Sequence, residues 1–241
     1  MRPNDRLPNQ LRPLTFDLGF VRNASGSVLV RSGATTVLCT CTVEPTVPPF
    51  LVGTGKGWMT AEYGMLPGST NTRKARDKGG KVDGRSVEIQ RLIGRSLRAV
   101  TDLSQLGERT LWLDCDVLEA DGGTRTAAIN GAFVALCLAL AKHAPQIGPA
   151  NAVVTDSVAA ISVGILGDEE RLDLEYVEDR DADVDMNLVM TGAGRFIEVQ
   201  GAGEEATFTA DQLMKMIELG RAGIAEVTRL QKAALGAAWP F

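Results

Sequence analysis

The stretch DGGTRTAAINGAFVALCLALAKH, residues 121–143, decides how the rest of the chain is interpreted. It joins a glycine turn to a long apolar run, which predicts a core helix capped by Thr124 or Thr126. The two glycines allow backbone N–H groups to approach a ligand closely, and Arg125 lies in the first helical turn. A cation beside the positive end of a helix is unfavourable unless an anion binds there, so the segment predicts a phosphate site. The same residues also fit a plain glycine turn before a capped core helix, and the local sequence leaves both interpretations open.

The segments on either side of this stretch predict an α/β fold. The run TLWLDCDVLE, residues 110–119, is strand-like, and a strand followed by a glycine turn and a helix suits phosphate binding. β-branched and alternating runs about glycine turns predict hairpins over residues 27–44, 157–178 and 184–201. The order of elements indicates two α/β halves around mixed sheets, about 1–145 and 146–241, packed as one compact domain over 1–241.

Two further helices are predicted by capping signals and by apolar periodicity. Ser86 is a candidate N-cap, and the positions that follow it at helical spacing on one face are Ile89, Leu92, Ile93, Leu97 and Val100. The last helix begins at a capping box formed by Thr209 and Gln212.

Composition excludes several classes of site. The chain has 241 residues, 44% of them hydrophobic, and a single histidine, His143, so a multi-histidine zinc site is impossible. The four cysteines, Cys39, Cys41, Cys115 and Cys137, lack CxxC spacing and are expected to be buried thiols. No apolar run is expected to reach membrane-spanning length, the N-terminus has no apolar signal core, and the expected compartment is the cytoplasm.

Charge is distributed unevenly along the chain. The net charge is −5, yet residues 73–98 carry nine Lys or Arg against three acids, which leaves −11 for the remainder. An asymmetry of this kind suits a polyanion held on one face, although a solvated basic loop fits the same pattern. The arginines of the predicted helix, Arg91, Arg95 and Arg98, are expected on the face opposite its apolar side.

Acidic residues alternate in EDRDADVDMN, residues 178–187. If this run is extended, Asp179, Asp181, Asp183 and Asp185 point the same way. An acidic surface loop explains the pattern, and so does a magnesium site, because Mg²⁺ binds through a few carboxylates, waters and substrate phosphates. Asp114 and Asp116 alternate in the same manner and are weaker candidates.

Taken together, these motifs resemble the ribonuclease PH family, the phosphate-dependent 3′ exoribonucleases that trim transfer RNA precursors. The resemblance runs through GSVLV, GWMTAEYGMLP, EIQRLIGRSLRA, LDCDVLEADGGTRTA, DLEYVED, DMN and IEVQG, and so covers nearly the whole chain. It implies two similar βαβα halves and a homo-hexamer arranged as a trimer of dimers.

The resemblance also implies roles for particular residues. It assigns phosphate binding to Arg85, Gly123, Thr124 and Arg125, and catalysis or magnesium binding to Asp179 and Asp185, with Arg125 also in the catalytic set. Arg73 and Arg76 match arginines associated with RNA binding. Gly68 stands where some relatives have arginine, which predicts one weaker contact to transfer RNA.

The function that the resemblance implies is phosphorolysis of RNA 3′ ends, with transfer RNA precursors and other structured RNAs as substrates. Inorganic phosphate would be the attacking co-substrate, nucleoside diphosphates the products, and Mg²⁺ the cofactor, and the reaction would also run in reverse. Two alternatives remain at this stage. One is a catalytically silent RNA-binding ring subunit, and the other is a hydrolytic metal nuclease that uses the aspartate cluster.

Overall fold

The structure is a computed structural model that describes residues 2, 5–76, 83–204 and 206–241. Over these residues the chain forms nine β-strands and six α-helices. The strands are β1 Leu14–Leu18, β2 Gly26–Ser32, β3 Thr35–Glu44, β4 Trp58–Met65, β5 Thr110–Glu119, β6 Val158–Leu166, β7 Glu169–Leu172, β8 Val184–Thr191 and β9 Phe196–Gly203. The helices are α1 Gly84–Arg98, α2 Thr124–Lys142, α3 Ala144–Ile147, α4 Ala150–Val153, α5 Tyr176–Asp181 and α6 Ala210–Leu235.

The strands form two sheets, which confirms the predicted α/β class. The first has the order β1-β2-β3-β5-β4, and it is mixed because β4 and β5 are parallel. A parallel pair needs a crossover, and α1 provides it. The second has the order β7-β6-β8-β9, with antiparallel pairing between the described strands. The sheets fall on either side of residue 145, whereas the division into halves at that residue stays a prediction.

Helix α2 lies at the centre of the molecule, in contact with β2, β3 and β5 of the first sheet and with β6 of the second. By length and mean hydropathy, 1.5, it could cross a membrane, which corrects the expectation from the sequence, but 83% of the window is buried in the fold. A Cβ on Gly131 would lie 2.5 Å from Val30 Cγ2 and 2.6 Å from Cys39 Sγ, so only glycine permits this packing. All four cysteines are free and buried, as predicted.

Two buried amides connect α2 to the second sheet. The side chain of Asn130 donates to the carbonyl of Ala160 at 2.9 Å and accepts from its N–H at 2.8 Å. Gln231 on α6 donates to the carbonyls of Asn130 and Val158 at 3.1 and 3.2 Å. Because these groups are buried, each bond satisfies an atom that would otherwise be costly to desolvate.

A buried ion pair fastens the N-terminal segment to the second half of the chain. Arg12, just before β1, contacts Asp173, just after β7, through Nη2–Oδ1 and Nε–Oδ2 distances of 2.7 and 3.1 Å. The backbone N–H of Arg12 also donates to Asp173 at 2.7 Å, and the two side chains are 4% and 3% exposed. Asp173 has a φ of +54°, a left-handed conformation that Asp and Asn tolerate better than most residues.

Three local predictions are corrected by the structure. Asp83, not Ser86, caps α1, and its carboxylate accepts from the N–H of Arg85. Gly123, and neither threonine, is the N-cap of α2; the Thr124 hydroxyl accepts from Tyr63 at 2.9 Å, and that of Thr126 donates to the Gly123 carbonyl. The hairpin predicted over 157–178 ends at Leu172, and α5 follows it.

We predict that removing one member of the Arg12–Asp173 pair is far more harmful than removing both charges. Arg12→Met should lower the free energy of unfolding by about 3–5 kcal/mol, because it leaves a buried carboxylate without its partner. Adding Asp173→Asn should recover much of that loss, since no unpaired charge remains and Asn tolerates the same φ. Urea denaturation measures both, with the exposed Arg22→Met as the matched control. A double variant no more stable than Arg12→Met would contradict this account.

Candidate active site

A polar cavity of about 430 Å³ brings together the site residues predicted from the glycine loop and the acid run. It is lined by Arg85, Gly123, Thr124, Arg125, Ser162, Asp179, Arg180, Asp185, Asn187 and Glu204. Six of these residues were predicted for phosphate binding or catalysis. The structure therefore joins segments that are far apart in the sequence into one site, although it does not test the role of each residue.

Helices α1 and α2 both begin at this cavity. Arg85 is the second residue of α1, and Gly123 to Arg125 form the start of α2. The N-cap Gly123 has a φ of +64° and supplies no side-chain cap, so N–H groups of the first turn remain for a ligand. Both helix dipoles and the two arginines therefore favour an anion here.

The glycine loop is held in place by close contacts from both halves of the chain. A Cβ on Gly122 would lie 2.7 Å from the carbonyl of Leu174, so that segment can press directly against the loop. Thr35 donates to the Gly122 carbonyl at 2.6 Å, and Arg12 donates to the carbonyl of Asp121. The ion pair that joins the halves thus also fixes the loop that faces the cavity.

Helix α5 is anchored through Glu178, the neighbour of Asp179. The buried carboxylate of Glu178 accepts from Arg2 at 2.7 and 2.8 Å and from Arg6 at 3.1 Å. Because α5 has only six residues, these contacts determine where Asp179 points. The N-terminal arginines are therefore part of the support of the site, which their position in the sequence does not indicate.

The four alternating aspartates do not form a single extended row. Asp179 and Asp181 lie on α5, and Asp181 pairs with Arg180 at 2.6 Å. Asp183 accepts from the N–H of Gly167 at 2.7 Å. Of these four aspartates only Asp179 and Asp185 line the cavity, where Glu204 is the third carboxylate, so the run does not supply a cluster of four.

The electrostatics of this pair are set by desolvation. Desolvation raises the pKa of Asp179, and the charges of Arg85, Arg125 and Arg12 oppose that change. Desolvation also raises the pKa of Asp185, and the negative charge of Asp179 adds to the effect. Each carboxylate therefore takes up a proton more readily than an ordinary aspartate, as a group that exchanges protons or cations should.

Arg125 is held by partners that leave its charge incompletely neutralised. Its Nη1 donates to Gln200 Oε1 on β9 at 2.8 Å and lies 3.5 Å from Glu88 Oε1 on α1. Its side chain is 16% exposed. A neutral amide and one exposed carboxylate can orient the guanidinium and still leave donors for phosphate oxygens.

Asp179 and Asp185 could supply only part of the ligand shell of a Mg²⁺ ion. Within the ranges that the structure describes, no group of three or more His, Cys, Asp or Glu forms a metal site. Mg²⁺ commonly uses one or two carboxylates and completes its shell with water and substrate phosphate. Asp179 and Asp185 suit that arrangement, whereas they are too few to enclose a metal ion with protein ligands alone.

The predicted RNA-binding arginines lie outside the cavity. Arg73 and Arg76 are exposed on the segment that precedes α1, and Lys74 ties this segment to Asp83 with an Nζ–Oδ2 distance of 2.7 Å. Lys78 and Lys81, also in the basic region, fall outside the described residues. On α1 itself Arg91 is exposed and Arg95 pairs with Glu198, as a polar face predicts, but Arg98 turns inward to the carbonyl of Met59 at 3.0 Å.

Sequence reasoning missed Ser162, Asn187, Glu204 and Arg180. Ser162 and Asn187 lie on β6 and β8, inside runs that were interpreted only as strands. Asn187 alternates with buried residues along β8, but β6 is buried along nearly its whole length, and only the pairing of Ser162 with Asn187 shows that the two meet. Glu204 follows β9 and carries no local signal.

We predict that Asp185→Asn stabilises the fold at neutral pH and that the gain disappears in acid. A carboxyl whose pKa is raised by folding contributes stability below its unfolded pKa, about 3.9, and loses it as pH rises through the folded pKa. The variant should therefore unfold at a higher temperature than the wild type at pH 8, with a difference that narrows towards about pH 4. Thermal scans over this range check it, with the exposed Asp17→Asn as control. A lower unfolding temperature than wild type at pH 8 would contradict the prediction.

Comparison with known proteins identifies the family. Residues 10–141 match the 3′ exoribonuclease family, domain 1, and residues 156–223 match its domain 2. The protein named ribonuclease PH from Rhodopirellula baltica is 59% identical over 239 residues, which cover 97% of this chain and 96% of that one. The ribonuclease PH of Bacillus subtilis is 54% identical over 244 residues, which cover 100% and 99% of the two chains.

Solved structures share the fold at much lower identity. Rice Rrp46 has a TM-score of 0.78 at 21% identity, with 97% of this chain and 100% of that one covered. The Archaeoglobus fulgidus exosome with RNA bound to the active site has a TM-score of 0.79 at 18% identity, with 95% and 91% covered. Sequence identity over almost the full length, together with the fold, shows that this chain belongs to the ribonuclease PH family of 3′ exoribonucleases.

Proposed function

We propose that this chain is a phosphate-dependent 3′–5′ exoribonuclease that trims transfer RNA precursors and, in reverse, adds nucleotides from nucleoside diphosphates. The observation that carries the proposal is one cavity in which two helix N-termini, Arg85 and Arg125 face Asp179 and Asp185. An anion seat beside a pair of acids suits an attack by phosphate on a phosphodiester. Hydrolysis, in which water is the attacking group, would not require a site for a free anion.

The chain's residues can serve each part of that reaction. Arg85, Arg125 and the N–H groups at the start of α2 hold inorganic phosphate and reduce its repulsion from the RNA backbone. An oxygen of the bound phosphate forms a bond to the phosphorus of the last phosphodiester. The bond from that phosphorus to the 3′ oxygen of the preceding nucleotide breaks, and this oxygen takes a proton. The products are a nucleoside diphosphate and an RNA shorter by one residue.

Asp179 and Asp185 could each serve as the proton donor or as a ligand of Mg²⁺. A raised pKa allows either carboxyl to carry the proton that the leaving 3′ oxygen needs. The same two oxygen donors would hold Mg²⁺, which would supply positive charge to the phosphate oxygens. Because protons and the ion compete for the same carboxylates, Mg²⁺ affinity is expected to fall as pH decreases.

We propose that RNA reaches the cavity over Arg73 and Arg76, and that its binding weakens with rising salt. A Cβ at Gly68 meets no atom within 4 Å, so the position has room for the arginine that some relatives carry there, and its absence removes one contact. A homo-hexamer, as a trimer of dimers, remains part of the proposal. Its support is the resemblance to the ribonuclease PH family, which implies such a ring.

A catalytically silent ring subunit is less well supported. Silent subunits usually lack part of the phosphate or acid set, whereas here Arg85, the 123–125 loop and both acids line one cavity. A hydrolytic metal nuclease resting on the aspartate run is not supported either, because only two of the four aspartates line the site.

We predict opposite defects for two arginine substitutions. Arg125→Ala should raise the KM for phosphate and lower kcat by about a hundredfold, the usual effect of losing one charged transition-state contact, with little change in RNA affinity. Arg73→Ala should weaken RNA binding and reduce its dependence on salt, with the KM for phosphate unchanged. Steady-state kinetics and RNA-binding titrations measure both effects, and the exposed Arg31→Ala is the control. Equal RNA-binding defects in the two variants would overturn this assignment of roles.

A further inference from the structure

Tyr63 on β4 is buried, yet its hydroxyl reaches the first residue of α2. The distance from Tyr63 Oη to Thr124 Oγ1 is 2.9 Å, and the two residues are 5% and 6% exposed. Thr124 lines the polar cavity and Tyr63 does not. Tyr63 can therefore act on a ligand in this cavity through Thr124 and not by direct contact.

The two hydroxyls carry two protons, and only one proton is used between them. Among the residues that the structure describes, neither hydroxyl makes a second hydrogen bond. If Thr124 donated to Tyr63, the buried phenol proton would have no acceptor, which is costly. If Tyr63 donates, the free proton belongs to Thr124 and lies at the cavity wall. The second arrangement leaves no buried proton unpaired, and a phenol is also a stronger donor than an aliphatic hydroxyl.

The Tyr63 hydroxyl keeps its proton at neutral pH. Burial raises the pKa of Tyr63 above its ordinary value, and the contact with Thr124 and the charges of Arg85 and Arg125 oppose that change without cancelling it. The phenol therefore remains a donor under the conditions in which the chain works. The influence of both arginines also shows that this hydroxyl lies near the positively charged side of the cavity.

The acceptor for the Thr124 proton has to come from a ligand. Although Asp179 and Asp185 line the same cavity, no carboxylate accepts from Thr124 within the described part of the chain. The groups closest to it in role are Arg85, Arg125 and the uncapped N–H groups of the first turn of α2, which can only donate. With Tyr63 as its partner, the threonine hydroxyl adds one more donor to this set, and the oxygens of inorganic phosphate are matching acceptors.

We propose that Tyr63 is a positioning residue for phosphorolysis, because its bond to Thr124 directs the threonine proton towards an oxygen of the bound phosphate. This rests on the proposed function, in which Thr124 takes part in phosphate binding. A threonine without this partner can rotate and present a lone pair to the phosphate, which repels it. Tyr63 thus raises the affinity for phosphate without contacting it and leaves the affinity for RNA unchanged.

The variant Tyr63→Phe tests this inference because it keeps the ring and removes only the hydroxyl. In calorimetric titrations with inorganic phosphate alone, its affinity should fall by about threefold to tenfold, the usual net effect of one hydrogen bond. In phosphorolysis the KM for phosphate should rise by the same factor, with the KM for RNA unchanged. Ser96→Ala also removes a buried hydroxyl, from α1 and outside the cavity lining, and is the matched control.

A double-mutant cycle separates positioning from a general effect on packing. Thr124→Val removes the hydroxyl that Tyr63 orients and should itself weaken phosphate binding. Adding Tyr63→Phe to this variant should cause no further loss, because Tyr63 acts through that hydroxyl. Thermal unfolding without phosphate compares the stability of each variant with that of the wild type.

Two results would overturn this inference and leave the proposed function standing. One is an unchanged phosphate affinity in Tyr63→Phe, and the other is a pair of losses that multiply in the double variant, which would show that Tyr63 acts through packing alone. If the wild-type chain neither bound phosphate nor released nucleoside diphosphates from RNA, the proposed function itself would fail.

Discussion

The buried ion pair between Arg12 and Asp173 is the constraint on which the rest of the site depends. Arg12 precedes the first sheet and Asp173 follows β7 of the second, yet the same guanidinium also bonds to the carbonyl of Asp121 at the start of the glycine loop. Burying two charges is expensive, and an apolar pair of similar volume is often as stable. The ion pair contributes geometry, because the Arg12 side chain contacts both the glycine loop and the segment that precedes the acid-bearing helix.

This arrangement explains why the residues proposed for catalysis come from both sides of residue 145. The first half contributes positive potential through Arg85, Arg125 and the start of α2, and the second contributes Asp179 and Asp185. The desolvated acids have a raised pKa, and an arginine beside a helix N-terminus is unfavourable by itself. Bound phosphate would offset the repulsion between the arginine and the helix N-terminus. A proton or a cation would offset the desolvation of the acids. These opposing costs support the proposal that the site holds phosphate together with a proton or Mg²⁺.

Much of the fold follows from local patterns in the sequence. β5 has the predicted bounds of 110–119, and the hairpins and the apolar face of α1 were also predicted, because alternation and helical spacing report burial directly. The anion seat was predicted from DGGTRT because its mechanism is local to one turn. The pairing of this seat with Asp179 and Asp185 came from family resemblance and not from spacing.

The predictions that failed depended on distant neighbours. Thr124 lies inside α2 and not at its cap, and its hydroxyl accepts from Tyr63, sixty-one positions earlier in the chain, which local sequence does not indicate. The four aspartates would point the same way only if their run were extended, but Arg2 and Arg6 hold Glu178 and α5 forms at the start of the run. The same reason explains why Arg12 and Ser162 were missed: each acts through a contact made only in the folded chain.

The central claim is that the loop at residues 121–126 holds inorganic phosphate as the attacking group. The most direct measurement supplies labelled inorganic phosphate, Mg²⁺ and a 3′-extended transfer RNA, and then identifies the released nucleotides. The account predicts nucleoside diphosphates that carry the label in the β-phosphate, and no release without phosphate. Unlabelled nucleoside monophosphates formed equally well in its absence would contradict it.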